Sequence, residues 1–471
     1  MASVVVLASL YLFFVVHFSV NVPRLDDWSA VWIVSQAAGG HLTWSDLWTQ
    51  HNANRMFVPN LFFVAIGLVS RENLRVVNVA GAVVLIGAFL LFLRLLRLYI
   101  GRVITVPLVL AVGVIWFSVA DWGSAIWSFQ FAWYLILLFF ILMLLLLNNL
   151  TRLTLVLSIC TAVAASFSSI EGLFLWPLGL IWIVWTSPPH PKRWDRIVSQ
   201  GSLAWVIAAL ATTALYFVGY QTDPPYFGGF YPTSVLGVTG STSSLGFVVH
   251  HPGPSIQFVF AEIGNVIPIG NALWPRELFG ALLLAAAVTV VVMGLRHRRT
   301  EKRIDGLSVL LIGFALLFDF FLVAGRSNYG VTWAILPQYT MDNLLLLVGL
   351  LIYAWRHVPL RRSTILISVW ITLMAVVALQ VISSSEVGVA GGNSTWPTLE
   401  KEARLDTTTD LVPPAEHSCY LEVGLFDYIL PNLSPSFVAQ LKQQRLTIFA
   451  PGPYRHYRSE GLPMLPGCRK P

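Results

Sequence analysis

Long apolar stretches alternate with short polar ones along residues 1–384. Crossing a bilayer as a helix takes roughly 17 to 25 largely apolar residues. Eleven stretches read as such crossings: 2–22, 75–96, 103–120, 128–147, 153–169, 172–186, 198–219, 277–295, 306–324, 338–355 and 363–382. Two further stretches do not. Residues 56–70 are short and contain Pro59, and residues 255–270 carry Glu262, Asn265 and Pro268. Such segments read as interfacial or re-entrant pieces. No Lys or Arg precedes the run 2–22 and no clear small-residue cleavage site follows it, so it reads as a retained anchor helix.

Three polar segments are long. In residues 23–74, Trp28, Val31, Trp32 and Ser35 have helical spacing, as do Trp44, Leu47 and Trp48. Short helices with one aromatic face are expected to lie in the bilayer interface. Residues 220–276 are rich in Gly, Ser, Pro and Tyr and read as a mobile cover. The tail, 385–471, mixes acidic and basic residues with few apolar runs and is long enough for a small domain. The expected division is thus a membrane module, 1–384, and a tail or small domain, 385–471. No internal repeat is visible.

Composition excludes a soluble domain, since 56% of the chain is hydrophobic and only 11% charged, against about 25% charged residues in an average soluble domain. Charge then sets the topology. Arg94/Arg97/Arg102, Arg152, Lys192/Arg193/Arg196, the basic run Arg296 to Arg303, and Arg356/Arg361/Arg362 each adjoin an apolar run. Short basic loops stay cytoplasmic. All five clusters fall inside if the N-terminus is cytoplasmic, the C-terminus is outside and the two irregular stretches belong to the outer face. The net charge of +6 then reflects topology, and no nucleic-acid partner is implied.

The unusual polar residues collect on that outer face. Asp26 and Asp27 follow the first helix; neighbouring carboxylates raise one another's pKa toward a value useful in a base, while the alternative reading has one of them cap the next helix. His51 and Arg55 are four apart and suit a shared helical face meeting phosphate, or an interfacial arginine reaching headgroups. Glu171 is an acid between two spans, and Asp121 follows the third span. Arg326, Asn328 and Tyr329 precede the stretch Pro337-Gln338-Tyr339, while Asp319, Asp342 and Asn343 lie within apolar runs. Asp319 and Arg326, two helical turns apart, are placed to pair. The adjacent His250 and His251 read as solvated rather than metal-ligating, and there is no Walker loop, GxGxxG after a strand or HExxH. Cys160 sits in an apolar run; Cys419 and Cys468, both in the tail, suit a disulfide if the tail is outside the cytoplasm.

With the acids so placed, the chain resembles the GT-C superfamily of polytopic glycosyltransferases. Asp26-Asp27-Trp28 matches that superfamily's paired-acid signature in the first outer loop. His51-Asn52-Ala53-Asn54-Arg55, with Pro59, and Gly325-Arg326 resemble motifs of a bacterial branch, whose "SRY" triplet is here Pro337-Gln338-Tyr339, without its arginine. The resemblance implies an all-α, GT-C-like fold of about eleven transmembrane helices at the bacterial inner membrane. It implies inverting transfer of a sugar from a polyprenyl-phosphate donor to an envelope glycan, lipid or protein acceptor on the extracytoplasmic face. In that scheme Asp26 or Asp27 is the base and Glu171 orients the acceptor. His51, Arg55 and Arg326 hold the donor phosphate, and Asp121, Tyr329, Gln338 and Tyr339 line the substrate. A divalent metal is compatible with the resemblance but not required by the residues. The rival expectation is a transporter or flippase of a lipid-linked glycan, kept open by Asp319 and Asp342.

Overall fold

The computed structural model describes residues 2–100, 105–186, 195–221, 244–270, 272–297, 304–358, 364–408 and 435–461. Among these the chain is almost entirely helical. Six helices are long and apolar enough to cross a membrane: Leu74–Tyr99, Val106–Ala125, Ser128–Leu147, Leu273–Arg296, Asp305–Tyr329 and Trp370–Leu405. The chain is therefore an all-α, multi-pass membrane protein. Four other expected crossings coincide with shorter apolar helices, Ala2–Phe18, Arg152–Ser166, Ile170–Thr186 and Gly201–Phe217. The remaining one, 338–355, falls on a helix with Asp342 in its first turn and Arg356 in its last.

In chain order the first elements are α1 (Ala2–Phe18), α2 (Asp27–Ala38), α3 (Trp44–Leu47), a hairpin of β1 (Gln50–His51) and β2 (Asn54–Arg55), and α4 (Phe57–Ser70). Next come α5 (Leu74–Ile100), α6 (Val106–Trp116), α7 (Trp122–Ala125), α8 (Phe131–Leu147), α9 (Arg152–Ser166), α10 (Leu175–Thr186) and α11 (Asp195–Phe217). The rest are α12 (Ser244–His250), α13 (Pro252–Gly264), α14 (Leu273–His297), α15 (Ile304–Arg326), α16 (Thr340–His357), α17 (Thr364–Thr408), α18 (Pro435–Gln444) and α19 (Pro451–Ser459).

Two ends of the bundle are fixed by tertiary hydrogen bonds. At one end the Leu74 amide, which opens α5, donates to Asn21 Oδ1 at 2.9 Å, and the Asn54 side chain meets Ser169 and Ile170. At the other, Tyr99 donates to Asn148 and Asp305 meets His357 at 2.7 Å. Helix α4 crosses neither way. It opens with the Val58 amide on the Phe167 carbonyl and closes beside Asn21, both at the first end. Between the ends lies an apolar core, with Phe92 stacked on Trp116 and Phe140 on Phe314.

Three expectations change here. Helix α2 is not an interfacial helix with one wet face: Trp28, Val31, Ile33 and Ser35 are all buried. Its outer side is covered by the far end of the chain. Phe437, Leu441, Leu446, Ile448 and Phe449 share one apolar cluster with Trp28, Val31 and Val34, and Gln444 bonds Ser35 twice, at 2.7 and 3.0 Å. The segment 220–276 is not wholly a loose cover, because α12 and α13 occupy 244–264 and Phe258 and Glu262 are buried; its aromatic stretch 222–243 lies outside the described residues. Helix α17 runs unbroken through residue 385 to Thr408, carrying Pro397 within it.

Candidate functional site

The acid pair lies at the start of α2, where Leu25 (φ 46°) turns the chain sharply out of the first helix. Its two members have different surroundings. Asp27 is buried. Its Oδ1 accepts from the Phe129 amide at 2.9 Å and from the Ser128 hydroxyl, and its Oδ2 accepts from the Arg24 amide at 3.1 Å. Burial pushes this carboxyl up from 3.8 to about 6, against the opposing pull of Ser128, Arg24 and the two amides. Asp26 is about a quarter exposed, and its Oδ1 stands 3.3 Å from His51 Nε2. Although Asp26 sits at the N-cap position of α2, its side chain makes no capping bond. Asp27 therefore ties the loop to the segment before α8, while Asp26 stays open on one side.

His51 reaches Asp26 from a hairpin, which corrects the expectation of a helical face shared with Arg55. Gln50 pairs with Arg55 and His51 with Asn54, and the two-residue turn between them uses Asn52 at φ 50°. Asn tolerates this left-handed conformation better than most residues, and adjacent strand positions face opposite ways. The second ring nitrogen, Nδ1, lies 3.3 Å from the Ser29 hydroxyl. Buried at 3% exposure, the imidazole is held between Ser29 and Asp26.

The Arg55 Nε, Nη1 and Nη2 donate to the carbonyls of Tyr216, Trp48 and Val218 at 3.3, 3.1 and 2.8 Å. The guanidinium also lies over the Trp48 ring. These three bonds staple the hairpin to the end of α11.

Glu171 is placed by its neighbours. A Cβ on Gly172 would stand 1.9 Å from the Ala165 carbonyl, so only glycine lets the turn 170–174 press against the end of α9. The Glu171 carboxylate is bonded by Ser169 and by the Trp133 side chain, and Arg326 is near enough to act on its charge. Arg326, at the end of α15, lies over the Tyr329 ring. Tyr339, packed beside Phe318, lies within electrostatic reach of Arg326, Glu262, Asp26 and Glu171. Gln338 packs on the segment 121–127, its carbonyl accepting from Ser124 and its neighbour Pro337 closing on Gly123. Asp26, His51, Glu171, Arg326, Tyr329, Gln338 and Tyr339 thus come from five separate segments to one end of the bundle.

Asp121 lies deeper, bonded by Tyr134, whose hydroxyl also meets that of Tyr11 at 2.7 Å. Asp319, expected to pair with Arg326, is bonded by Asn343 at 2.8 Å. Cys160 is a free thiol, and Cys419 and Cys468 lie outside the described residues. No group of three or more His, Cys, Asp and Glu among the described residues is placed to hold a metal ion.

Sequence reasoning missed Arg24, Ser29 and Ser128. Arg24 packs over Trp127 at 5.1 Å and its Nη2 donates to the Gly123 carbonyl. Its position directly before the acid pair was the available signal. It also missed Glu72, which is fully buried and held at φ 52° after α4, with neither carboxylate oxygen hydrogen-bonded. Burial raises this carboxyl to about 8, with the Asp27 charge adding to the shift. Gly67 leaves it room, since a Cβ there would meet Glu72 Oε2 and Val34.

Among curated proteins the chain is similar to a phospho-N-acetylmuramoyl-pentapeptide-transferase of Synechococcus sp. (strain RCC307). Identity is 27% over 190 residues, which covers 38% of this chain and 49% of the other. The chain spans about half the length of the curated relative it matches. No family model matches the chain, and no solved structure matches it.

Proposed function

We propose that this protein is a GT-C-like glycosyltransferase of the bacterial inner membrane, working on the extracytoplasmic face with its N-terminus in the cytoplasm. The observation that carries this reading is the partly exposed Asp26 beside the buried His51, whose hairpin is bonded through Asn54 to Ser169 and Ile170 next to Glu171. The similarity to a transferase supports the reaction class. The donor is a sugar on polyprenyl phosphate, and the acceptor is an envelope glycan, lipid or protein.

In this mechanism an acceptor hydroxyl attacks the anomeric carbon. The bond from that carbon to the phosphate oxygen breaks, and polyprenyl phosphate leaves. Asp26 takes the hydroxyl proton, because it is the open member of the pair and His51 fixes its orientation. Arg326 meets the negative charge that develops on the leaving phosphate, where a preorganised cation is worth most. Glu171 orients acceptor hydroxyls, with Tyr339 and Gln338 lining the substrate. The deeper Asp121 acts through Tyr134.

The buried carboxylates Glu262, Asp319 and Asp342 favour a second reading, passage of a lipid-linked glycan through the bundle. Purified full-length protein with donor radiolabelled in both sugar and phosphate separates the readings. Sugar label alone should move to acceptor with wild type and be lost with Asp26→Asn. Joint movement of both labels would indicate phospho-sugar transfer. Movement of intact donor across vesicles without reaction would favour transport, and wild-type turnover by both Asp26→Asn and Asp27→Asn would remove the base assignment.

A further inference from the structure

Helix α14 carries in its first turn a cation with no charged partner among the described residues. Arg276, in the first turn, is 6% exposed. Its Nη2 donates to the Gly270 carbonyl at 2.6 Å, but Nε and Nη1 are buried without a hydrogen-bond partner. No carboxylate among the described residues forms an ion pair with it. Buried charges in proteins are otherwise found paired and hydrogen-bonded. The position makes matters worse, because the N-terminal end of a helix is already the positive end of its dipole and favours anions.

The surroundings indicate where an anion comes from. Gly264 packs so closely that a Cβ there would stand 1.9 Å from the Arg276 carbonyl, which clamps the end of α13 on the start of α14. The connecting loop buries Val266 and Ile267 inward. Ile269, Trp274 and Leu278 expose apolar side chains nearby, Trp274 and Leu278 on the face of α14 opposite the arginine. A buried guanidinium at the terminus of a membrane-crossing helix that exposes apolar side chains lies at the depth of the headgroup layer of a bilayer.

We propose that Arg276 binds a phosphate anion at the α13–α14 junction, a site separate from the Asp26–Arg326 cluster and independent of the transfer reaction. A phosphate carries several acceptor oxygens and so satisfies donors on different edges of one guanidinium. Its source is either a lipid headgroup or the free ion.

The test uses the full chain in phosphatidylcholine nanodiscs doped with phosphatidic acid. Native mass spectrometry counts retained phosphatidic acid, and hydrogen–deuterium exchange reads protection over residues 265–278. Wild type should retain phosphatidic acid over phosphatidylcholine; Arg276→Gln should lose about tenfold, as expected for a charge-assisted contact. Arg276→Lys should lose less. Competition by millimolar inorganic phosphate would identify the free ion as a ligand, and its failure would assign the site to lipid. If Arg276→Gln does not fold, protection of 265–278 in wild type by phosphatidic acid or inorganic phosphate decides. Equal retention by wild type and folded Arg276→Gln, or no protection by either phosphate source, overturns the proposal.

Discussion

At one end of the bundle Asp305 is fully buried and bonded to His357, Tyr99 bonds Asn148, and Arg94, Arg97 and Arg296 close their helices. At the other end Asp26 meets His51, Glu171 lies near Arg326, and Tyr339 feels the charge of all but the histidine. The residue types are similar, but the arrangements differ. The basic end joins polar groups pairwise between neighbouring helices, which closes them off. The acidic end gathers groups from the acid-pair loop, the hairpin, the turn before α10, the end of α15 and the turns before α16, and leaves Asp26 partly open. A bundle needs only the first kind of arrangement to hold together, so the second is where function is to be sought.

The largest expected effect separates these ends by activity. Asp26→Asn should lower sugar transfer by about 10² to 10⁴, the usual contribution of a general base, with the thermal midpoint unchanged. Asp305→Asn, at the other end, should leave transfer near wild type and lower the midpoint instead. A loss of transfer from Asp305→Asn as deep as that from Asp26→Asn would break the comparison.

Next comes pH. Asp305 has a histidine partner, whereas Glu72, buried under the acidic end, has none. Its carboxyl rises from 4.5 to about 8 on folding, so its neutral form is the stable one. That stability is complete below pH 4.5 and is lost as pH climbs to about 8, where the buried charge must be carried. The loss is at most about 5 kcal/mol. Thermal midpoints of wild type should fall across this window more steeply than those of Glu72→Gln. Parallel curves would show that Glu72 is not charged on unfolding.

Two arginines then test the acidic end itself. Arg326→Gln should lower kcat and raise the KM for donor, cutting kcat/KM by about 10- to 100-fold, as for a lost charge-assisted contact to the leaving phosphate. Arg55→Lys should leave that KM alone and cost about 1–3 kcal/mol of stability, because one ammonium cannot serve three carbonyls spread around a planar fork. The reverse pattern would return the phosphate to Arg55.

Much of the helical framework was legible, because long apolar runs leave a chain few alternatives in a bilayer. The polar contacts were less so. His51 and Arg55 have the spacing of a helical face, yet the positive φ of Asn52 folds them into a hairpin, a local choice that spacing does not reveal. The burial of α2 depends on Phe437, Leu441 and Ile448, some four hundred residues away, and no local pattern announces such cover. The division of labour between Asp26 and Asp27 rests on Ser128 and Phe129, about a hundred residues distant. Sequence marks the acid pair, and only tertiary contacts tell its members apart.

Everything above requires the acidic end to share one compartment, which cysteine accessibility measures directly. In a background lacking Cys160, Cys419 and Cys468, single cysteines at Leu25, Thr332 and Arg97 can be challenged with a membrane-impermeant maleimide on intact cells. The account predicts labelling of Leu25→Cys and Thr332→Cys from outside, and of Arg97→Cys only after permeabilisation. Labelling of Leu25→Cys and Thr332→Cys from opposite sides of the membrane would contradict it.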